Sequence, residues 1–351
     1  MDFLFYVRVL CTLALAGLAA GLCVTLNAPL PWLIGPLVVT AVASMLRLRT
    51  ESSTPLRNGG QAIIGTAVGL YFTPTMTVLV AGLWWAIGLG VVLALGLGWL
   101  CGVGLHRWHA QRMPGLSQAT TFFASAIGGA SEMTQLADRF KGRPDLVAAA
   151  HSVRLMLVTL VVPIAMQYSG LHGLDVTASG GAREVLLPGL ALLGMAVCAG
   201  AWVMARLKRP NPWFLGALLV AMGLTMAGVE LSAMPKGLSN AAQLLIGVSL
   251  GVRFTPAFVH TAPRWLASVA VATLCLIAVC TVLAVLLAWV SGLPTGTLIL
   301  AMAPGGIAEM VITAKVLQLS APVVTAFHVC RLVAVLVLLE PLYLWRYGKP
   351  G

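Results

Sequence analysis

A Gly-Gly-x-x-Glu motif stands twice within apolar stretches, as Gly128, Gly129 and Glu132 and again as Gly305, Gly306 and Glu309. Paired glycines favour a helix break, because glycine gains conformational freedom outside a helix. The ends of a broken helix present N–H or C=O groups that can bind an anion or a cation. A carboxylate inside a membrane segment is costly unless it is paired or hydrated, so each glutamate predicts an ion or proton site. Glycines that only permit close helix packing, and a structural ion pair, are the alternatives.

A His-x-x-Arg motif also occurs twice, as His151 with Arg154 and as His328 with Arg331. Residues three apart share one face of a helix, and Arg154 lies about 14 Å along its predicted helix, near the bilayer centre. A guanidinium at that depth stays charged and needs an anion. The two motif glutamates are the expected partners, and an anionic substrate could replace them. The histidines could couple transport to protons; a structural Arg–Glu lock with a satisfied histidine is the alternative.

Four amide side chains begin two short glycine-patterned segments: Asn58 and Gln61, then Asn240 and Gln243. Their spacing places each pair on one helix face, where amides could bind polar groups of a substrate. Amides also join helices inside membranes, so both functions stay open. The Gly-x-x-x-Gly pairs that follow are typical of close helix packing; they are Gly65 with Gly69 and Gly247 with Gly251.

The composition predicts a protein whose solvent is the lipid bilayer. Of 351 residues, 60% are hydrophobic and only 9% are charged, against about 25% charged in soluble domains. Apolar runs long enough to span a bilayer include residues 9–26, 78–105 and 265–290. The formal net charge is +11, yet the basic residues lie mostly in short loops, and no stretch is long enough for a nucleic-acid-binding module. Lipid is therefore an expected partner, and nucleic acid is not.

Four sequence blocks recur in the same order, so the chain is a duplication. Pro31–Leu37 matches Pro212–Leu218 at an offset of 181 residues, and residues 58–74 match residues 240–256 at an offset of 182. The Gly-Gly-x-x-Glu and His-x-x-Arg motifs recur at an offset of 177. We predict an all-α integral membrane protein with two repeats, residues 1–170 and 183–351. Each repeat has about five spans and one broken or re-entrant segment.

The predicted broken segments are 115–137 and 294–316, and the predicted spans are 8–26, 31–46, 59–72, 78–104 and 145–168, followed by 184–205, 212–229, 239–253, 265–290 and 321–345. With the N-terminus in the cytoplasm and the broken segments returning to the side they entered, the outside loops carry only Arg183, Lys236 and Lys315. Most other basic residues are then cytoplasmic, as the positive-inside rule requires. An odd number of spans per repeat inverts the second repeat relative to the first, which is typical of secondary transporters.

At these residues the chain resembles the AbrB family of bacterial membrane proteins, which carry a duplicated membrane domain. The resemblance rests on the strings GPLVVTAVASMLRLR, GQAIIGTAVGLYFTP, GGASEMTQLADRF and APGGIAEM, and it covers nearly the whole chain. Family members are labelled regulators of gene expression or ammonia monooxygenases. More distantly, the chain is similar to cation/proton antiporters and bile-acid-symporter-like transporters built from inverted repeats, which implies transport.

The sequence therefore predicts a multi-pass secondary transporter of the bacterial inner membrane, with both termini in the cytoplasm. It would move a small solute, with an organic anion favoured, coupled to H+ or a cation. We do not expect an enzyme, because a monooxygenase needs copper or iron held by clustered ligands, and we expect neither a metal nor another cofactor. A non-transporting membrane sensor or regulator with an indirect effect on gene expression is the competing function. Association into a homo-oligomer stays open.

Overall fold

The computed structural model describes residues 3–109, 113, 116–171, 184–209, 211–256 and 262–348. Every regular element within these ranges is an α-helix. The helices of the first repeat are α1 (Phe3–Thr25), α2 (Pro31–Met45), α3 (Thr54–Gly69), α4 (Pro74–Gly82), α5 (Trp84–His109), α6 (Gln118–Ser125), α7 (Ala130–Arg139) and α8 (Pro144–Tyr168). Those of the second repeat are α9 (Leu187–Arg206), α10 (Pro212–Met226), α11 (Lys236–Gly251), α12 (Pro263–Ser291), α13 (Thr295–Met302), α14 (Ile307–Val316) and α15 (Ala321–Tyr347).

Six of the described helices are long and apolar enough to cross a membrane, namely α1, α5, α8, α9, α12 and α15. The pair α3 and α4 has the same character but is bent by 89°. The other predicted spans correspond to α2, α3, α10 and α11, which have 15 or 16 residues. A straight helix needs about 20 residues to cross a bilayer. A multi-pass membrane protein is thus supported, with six spans of full length in the described residues rather than ten.

Both predicted helix breaks occur. The chain leaves α6 at Ala126 and leaves α13 at Ala303, and these two residues have nearly the same conformation, with φ −56° and ψ 132° in the first and φ −54° and ψ 139° in the second. Four residues separate the two short helices in each repeat. The broken segments therefore follow the same local path in both halves of the chain.

The duplication extends to rare backbone conformations. Non-glycine residues with positive φ are uncommon, and several occur here in pairs at the offsets found in the sequence: Asn27 and Lys208, Leu30 and Asn211, Lys141 and Gln318. Leu30 and Asn211 have φ values of 45° and 47°, and each precedes the proline that begins α2 or α10. Local geometry thus repeats even where the residue types differ.

The described helices form two compact units, and each unit combines helices from both repeats. The first unit lies within residues 1–81, 163–260 and 311–322 and holds α1–α4 and α9–α11. The second lies within residues 82–162, 261–310 and 323–351 and holds α5–α7, α12, α13 and most of α8 and α15. These units differ from the predicted repeats 1–170 and 183–351. The boundary between the repeats falls largely outside the described residues, and the two-repeat organisation stays a prediction.

In the first unit, helices of one repeat pack on helices of the other, α3 on α10 and α11 on α2. Glycine makes this approach possible. A Cβ atom at Gly69 would lie 2.6 Å from Cβ of Ala221 and 2.7 Å from the carbonyl oxygen of Leu218. At the equivalent Gly251, a Cβ atom would lie 2.5 Å from the carbonyl oxygen of Leu37. The prediction that the Gly-x-x-x-Gly pairs serve close packing is confirmed.

Candidate functional site

The glycine pairs at the two breaks provide space rather than unusual backbone angles. The described glycines with positive φ lie elsewhere in the chain. A Cβ atom at Gly128 would lie 2.7 Å from Val335, and one at Gly305 would lie 2.8 Å from Val158. Val158 and Val335 are equivalent residues of the two repeats, so each break is covered by a helix of the other repeat. The expectation that conformational freedom selects these glycines is replaced by a requirement for close approach.

The first His-x-x-Arg motif binds the carbonyl end of α6. His151 and Arg154 lie on α8 and are 1% and 5% exposed. Nε2 of His151 is 3.0 Å from the carbonyl oxygen of Phe123, and Nη1 of Arg154 donates to the carbonyl oxygen of Ser125 at 3.3 Å. Because the carbonyl end of a helix carries partial negative charge, a guanidinium is stabilised there.

The second motif repeats this arrangement on α15 with more bonds. Nη1 of Arg331 donates to the carbonyl oxygen of Ala303 at 2.8 Å, and Nη2 donates to that of Gly305 at 3.0 Å. Nε2 of His328 lies 2.9 Å from the carbonyl oxygen of Leu300. Both side chains are buried. The two histidines therefore bind equivalent carbonyl oxygens, whereas Arg331 binds carbonyl oxygens one and three residues further along its break than the position equivalent to Ser125 and makes more bonds than Arg154.

The histidines are held in one neutral form. Nη2 of Arg154 lies 2.7 Å from Nδ1 of His151, and Nη2 of Arg331 lies 2.9 Å from Nδ1 of His328. A guanidinium can only donate, so Nδ1 must accept and the ring proton must be on Nε2, from which it reaches the carbonyl oxygen. A proton on Nδ1 would end the bond to arginine. The function predicted for the histidines in proton coupling would therefore require this network to open first.

Both motif glutamates occupy the third position of the second short helix, Glu132 in α7 and Glu309 in α14. Each carboxylate folds back over the glycine that precedes its helix, where a Cβ atom at Gly129 or Gly306 would collide with it. A carboxylate at this end of a helix is stabilised by the helix dipole. Glu309 is 8% exposed and Glu132 is partly exposed.

The predicted pairing of these glutamates with the buried arginines is wrong for this conformation. Within the residues that the structure describes, ion pairs join other residues: Arg8 with Glu51, Arg139 with Glu340, and Arg143 with Asp145. Carbonyl oxygens at the helix breaks take the place expected for the carboxylates. At each break the arginine binds the carbonyl end of the first short helix, whereas the glutamate lies at the amide end of the second.

Two small cavities of about 10 Å³ lie beside the arginines at equivalent places in the second unit. One is lined by Arg154 and Cys101 and the other by Arg331 and Cys280. A cavity of this size has room for at most about one water molecule. Nε of Arg154 is buried and has no hydrogen-bond partner, so this guanidinium keeps bonding capacity beside its cavity.

The four amide residues lie in the first unit, apart from the unit that contains the glutamates, arginines and histidines. Asn58 and Gln61 belong to α3, and Asn240 and Gln243 belong to α11. The two helices meet near these residues, because a Cβ atom at Gly60 would lie 3.0 Å from the carbonyl oxygen of Ala242. The sequence-predicted residues thus belong to two compact units, the amides to the first and the glutamates, arginines and histidines to the second.

The sequence profile described as "Transition state regulatory protein AbrB" matches residues 32–346. The chain belongs to the AbrB family. An uncharacterized protein, YhjN, from Bacillus subtilis (strain 168) is 28% identical over 94% of this chain and 88% of its own length. A protein named "Putative regulator AbrB" from Escherichia coli (strain K12) is 24% identical over 93% of this chain and 92% of its own length.

Sequence reasoning missed several parts of the site in this AbrB-family chain. The carbonyl groups at the helix breaks have no signature in residue types, although the matched offset of the glycine and arginine motifs could have linked each arginine to its own break. Cys101 and Cys280 belong to none of the motifs discussed above, yet they line the twin cavities. Glu340, which belongs to none of the motifs, pairs with Arg139 at 2.9 Å.

Proposed function

We propose that this AbrB-family protein is a secondary transporter of the bacterial inner membrane that moves a small organic anion, coupled to H+ or another cation. The two repeats would cross the bilayer in opposite senses, with both termini in the cytoplasm, because that arrangement keeps the basic loops inside. Inverted repeats allow a central site to face either side of the membrane in turn.

The pair of buried guanidinium groups supports an anionic substrate. Arg154 and Arg331 lie in the same compact unit and are 5% and 6% exposed. Their hydrogen bonds go to carbonyl oxygens and to histidine, which are dipoles and leave two full positive charges in apolar surroundings. Such charges are costly without an anion. A substrate carboxylate could supply it through bidentate contact with a guanidinium.

Arg154 is the better candidate of the two for holding the substrate. Arg331 donates to two carbonyl oxygens, at 2.8 and 3.0 Å, whereas Arg154 donates to one at 3.3 Å and leaves Nε unbonded. A purely structural arginine would be expected to saturate its donors, because a buried unpaired donor is costly. We therefore assign the substrate anion to Arg154 and a mainly structural function to Arg331.

Glu132 is the candidate for coupling to H+ or a cation. Its carboxylate is partly exposed at the break, in the same unit as Arg154. Binding a proton or a cation there would remove a negative charge that competes with an anionic substrate for the positive field of the arginines. The order of binding would then be cation first and anion second.

Solute flux into liposomes tests the proposal. Acetate, lactate and succinate serve as probes, each with and without a pH gradient. We expect flux for the wild type, its loss in Arg154→Gln, and loss of the response to the pH gradient in Glu132→Gln. Arg139→Gln is the matched control, because its side chain is 68% exposed. Wild-type flux that persists in a folded Arg154→Gln variant would contradict the assignment.

A membrane sensor without transport activity is the second candidate, favoured by the printed name of the Escherichia coli relative, "Putative regulator AbrB". Any effect on gene expression would then be indirect, without nucleic-acid binding by this chain. Transcript changes that persist in cells carrying a flux-deficient Arg154→Gln variant would favour the sensor. Changes that disappear together with flux would attribute regulation to transport. Association into a homo-oligomer is compatible with both functions.

A further inference from the structure

A groove of about 650 Å³ runs between α5 and α12 in the second unit. Its lining extends from Leu97 to His109 on α5 and from Arg264 to Val279 on α12. At 1.5 Å per residue, these stretches are about 18 Å and 22 Å long. The hydrocarbon region of one leaflet is about 15 Å deep. The groove therefore has the length of one leaflet, which suits an extended acyl chain better than a compact solute.

The wall of the groove is apolar and open. Leu100 on α5 and Val271 and Val279 on α12 line it and are 58%, 62% and 42% exposed. Both helices are long enough to cross a membrane. An acyl chain can cover such a surface without leaving any polar group of the protein unpaired, because the exposed lining atoms are almost all carbon.

One end of the groove is cationic and aromatic. Arg264 is exposed in the first turn of α12, and Trp108 is 65% exposed near the end of α5. Nε2 of His109 lies 2.6 Å from Oγ of Ser268 at the same end. No carboxylate is among the described residues that line the groove. Arginine beside an exposed tryptophan is typical of the headgroup level of a bilayer.

Arg264 lies at the end of α12 where the helix dipole is unfavourable for a cation. The N-terminus of a helix carries partial positive charge and disfavours a nearby cation. The residue before α12, Ala262, provides no side-chain cap for its first N–H groups. A bound phosphate would satisfy both the guanidinium and these N–H groups, since helix N-termini are ready anion sites. An anionic ligand at this position would therefore remove the conflict.

We propose that an anionic phospholipid occupies this groove, with its phosphate at Arg264 and the start of α12 and one acyl chain along the groove. Cys101, Leu105, Ala272 and Leu276 line both the groove and the cavity beside Arg154. The acyl chain would thus cover the apolar wall behind that buried guanidinium. This lipid site is independent of whether the protein transports a solute.

Native mass spectrometry of the full chain in detergent, with phosphatidylglycerol or phosphatidylcholine added, tests the proposal. We expect the wild type to retain phosphatidylglycerol about fivefold more than phosphatidylcholine, as one interfacial cation provides. Arg264→Ala should lose this preference, and Val271→Trp, which fills the groove, should lose both lipids. Matched controls are Arg206→Ala, at the end of α9 and stacked on Trp202 at 4.7 Å, and Val282→Trp, on α12 outside the groove and 59% exposed.

Equal retention of the two lipids by the wild type, or an unchanged preference in Arg264→Ala, would overturn the proposal. So would a dimer that Val271→Trp dissociates, because the groove would then hold a second copy of the chain. Thermal unfolding with each lipid provides a second measurement if Val271→Trp folds poorly. Stabilisation by phosphatidylglycerol should be present in the wild type and Arg206→Ala and absent in Arg264→Ala.

Discussion

Arg331 donates a 2.8 Å hydrogen bond to the carbonyl oxygen of Ala303, the residue at which the chain leaves α13. A helix that ends inside a membrane leaves carbonyl groups that water cannot reach. The Arg331 guanidinium binds two carbonyl oxygens of the break, those of Ala303 and Gly305, and His328 binds that of Leu300 in the last turn of α13. The carbonyl groups at the break need hydrogen-bond donors, and the buried guanidinium needs a negative electrostatic potential. The contact between them therefore stabilises both groups.

Removing Arg331 should destabilise the protein more than removing Arg154. Arg331→Leu leaves two carbonyl oxygens without a partner, whereas Arg154→Leu leaves one that was weakly bonded at 3.3 Å. Each unpaired buried group costs about 1–3 kcal/mol. Thermal unfolding in detergent measures both losses. Equal losses of stability, or a larger loss for Arg154→Leu, would show that the additional hydrogen bonds of Arg331 do not contribute to stability.

His328→Gln should be better tolerated than His328→Leu. The amide of glutamine can donate to the carbonyl oxygen of Leu300 and accept from Arg331, as the neutral imidazole does. Leucine offers neither bond, and each is worth about 1 kcal/mol. Unfolding of both variants gives the comparison, with the equivalent pair of substitutions at His151 as the internal control. Similar stability of the two variants would mean that packing, and not bonding, selects histidine.

Gly129→Ala should lower the stability of the protein chiefly because the new side chain collides with Glu132. An added Cβ atom at position 129 collides with the carboxylate of Glu132 and must displace it. The double variant Gly129→Ala/Glu132→Ala should therefore lose less than the two single losses combined, with a coupling of about 0.5–3 kcal/mol. Gly59→Ala, where a Cβ atom meets nothing within 4 Å, is the control. Additive losses in this double-mutant cycle would mean that the contact between positions 129 and 132 does not explain the effect of Gly129→Ala.

Gly69→Ala should destabilise the first unit by about 1–3 kcal/mol, the usual cost of overpacking. The new Cβ atom would lie 2.6 Å from Cβ of Ala221 and 2.7 Å from a backbone oxygen of α10, which cannot move aside easily. Gly223→Ala on α10 meets nothing within 4 Å and should be neutral or stabilising, because alanine favours a helix more than glycine does. Unfolding in detergent separates the two substitutions. A neutral Gly69→Ala would mean that α3 can shift along α10 at little cost.

Much of the fold was predictable because each motif occurs twice in the sequence. The breaks at 126–129 and 303–306 followed from glycine pairs in apolar surroundings. The membrane character of six helices followed from apolar length. The compact units were not predictable in the same way, because they depend on which helices meet in space, and a helix face of small residues does not specify its partner.

The site was predicted in its residues but not in its pairing. Arg154 and Arg331 were expected to bind carboxylates, since side chains are the only anions that a sequence displays. Backbone carbonyls at a broken helix are invisible in residue types, yet they are closer to these arginines than any described acid is. Asn58 and Gln243 were expected to bind polar groups of a substrate or to join helices, and they belong to the other compact unit.

The exchange of helices between repeats has a consequence for synthesis. The glycine face of α3 is covered by α10, and that of α11 by α2. When only the first repeat has been synthesised, α10 and α11, the partners of α3 and α2, have therefore not yet been made. Until α10 has been synthesised, the glycine face of α3 would have no protein partner to cover it. A product truncated at the midpoint would lack part of both compact units, because each unit contains helices from both halves of the chain.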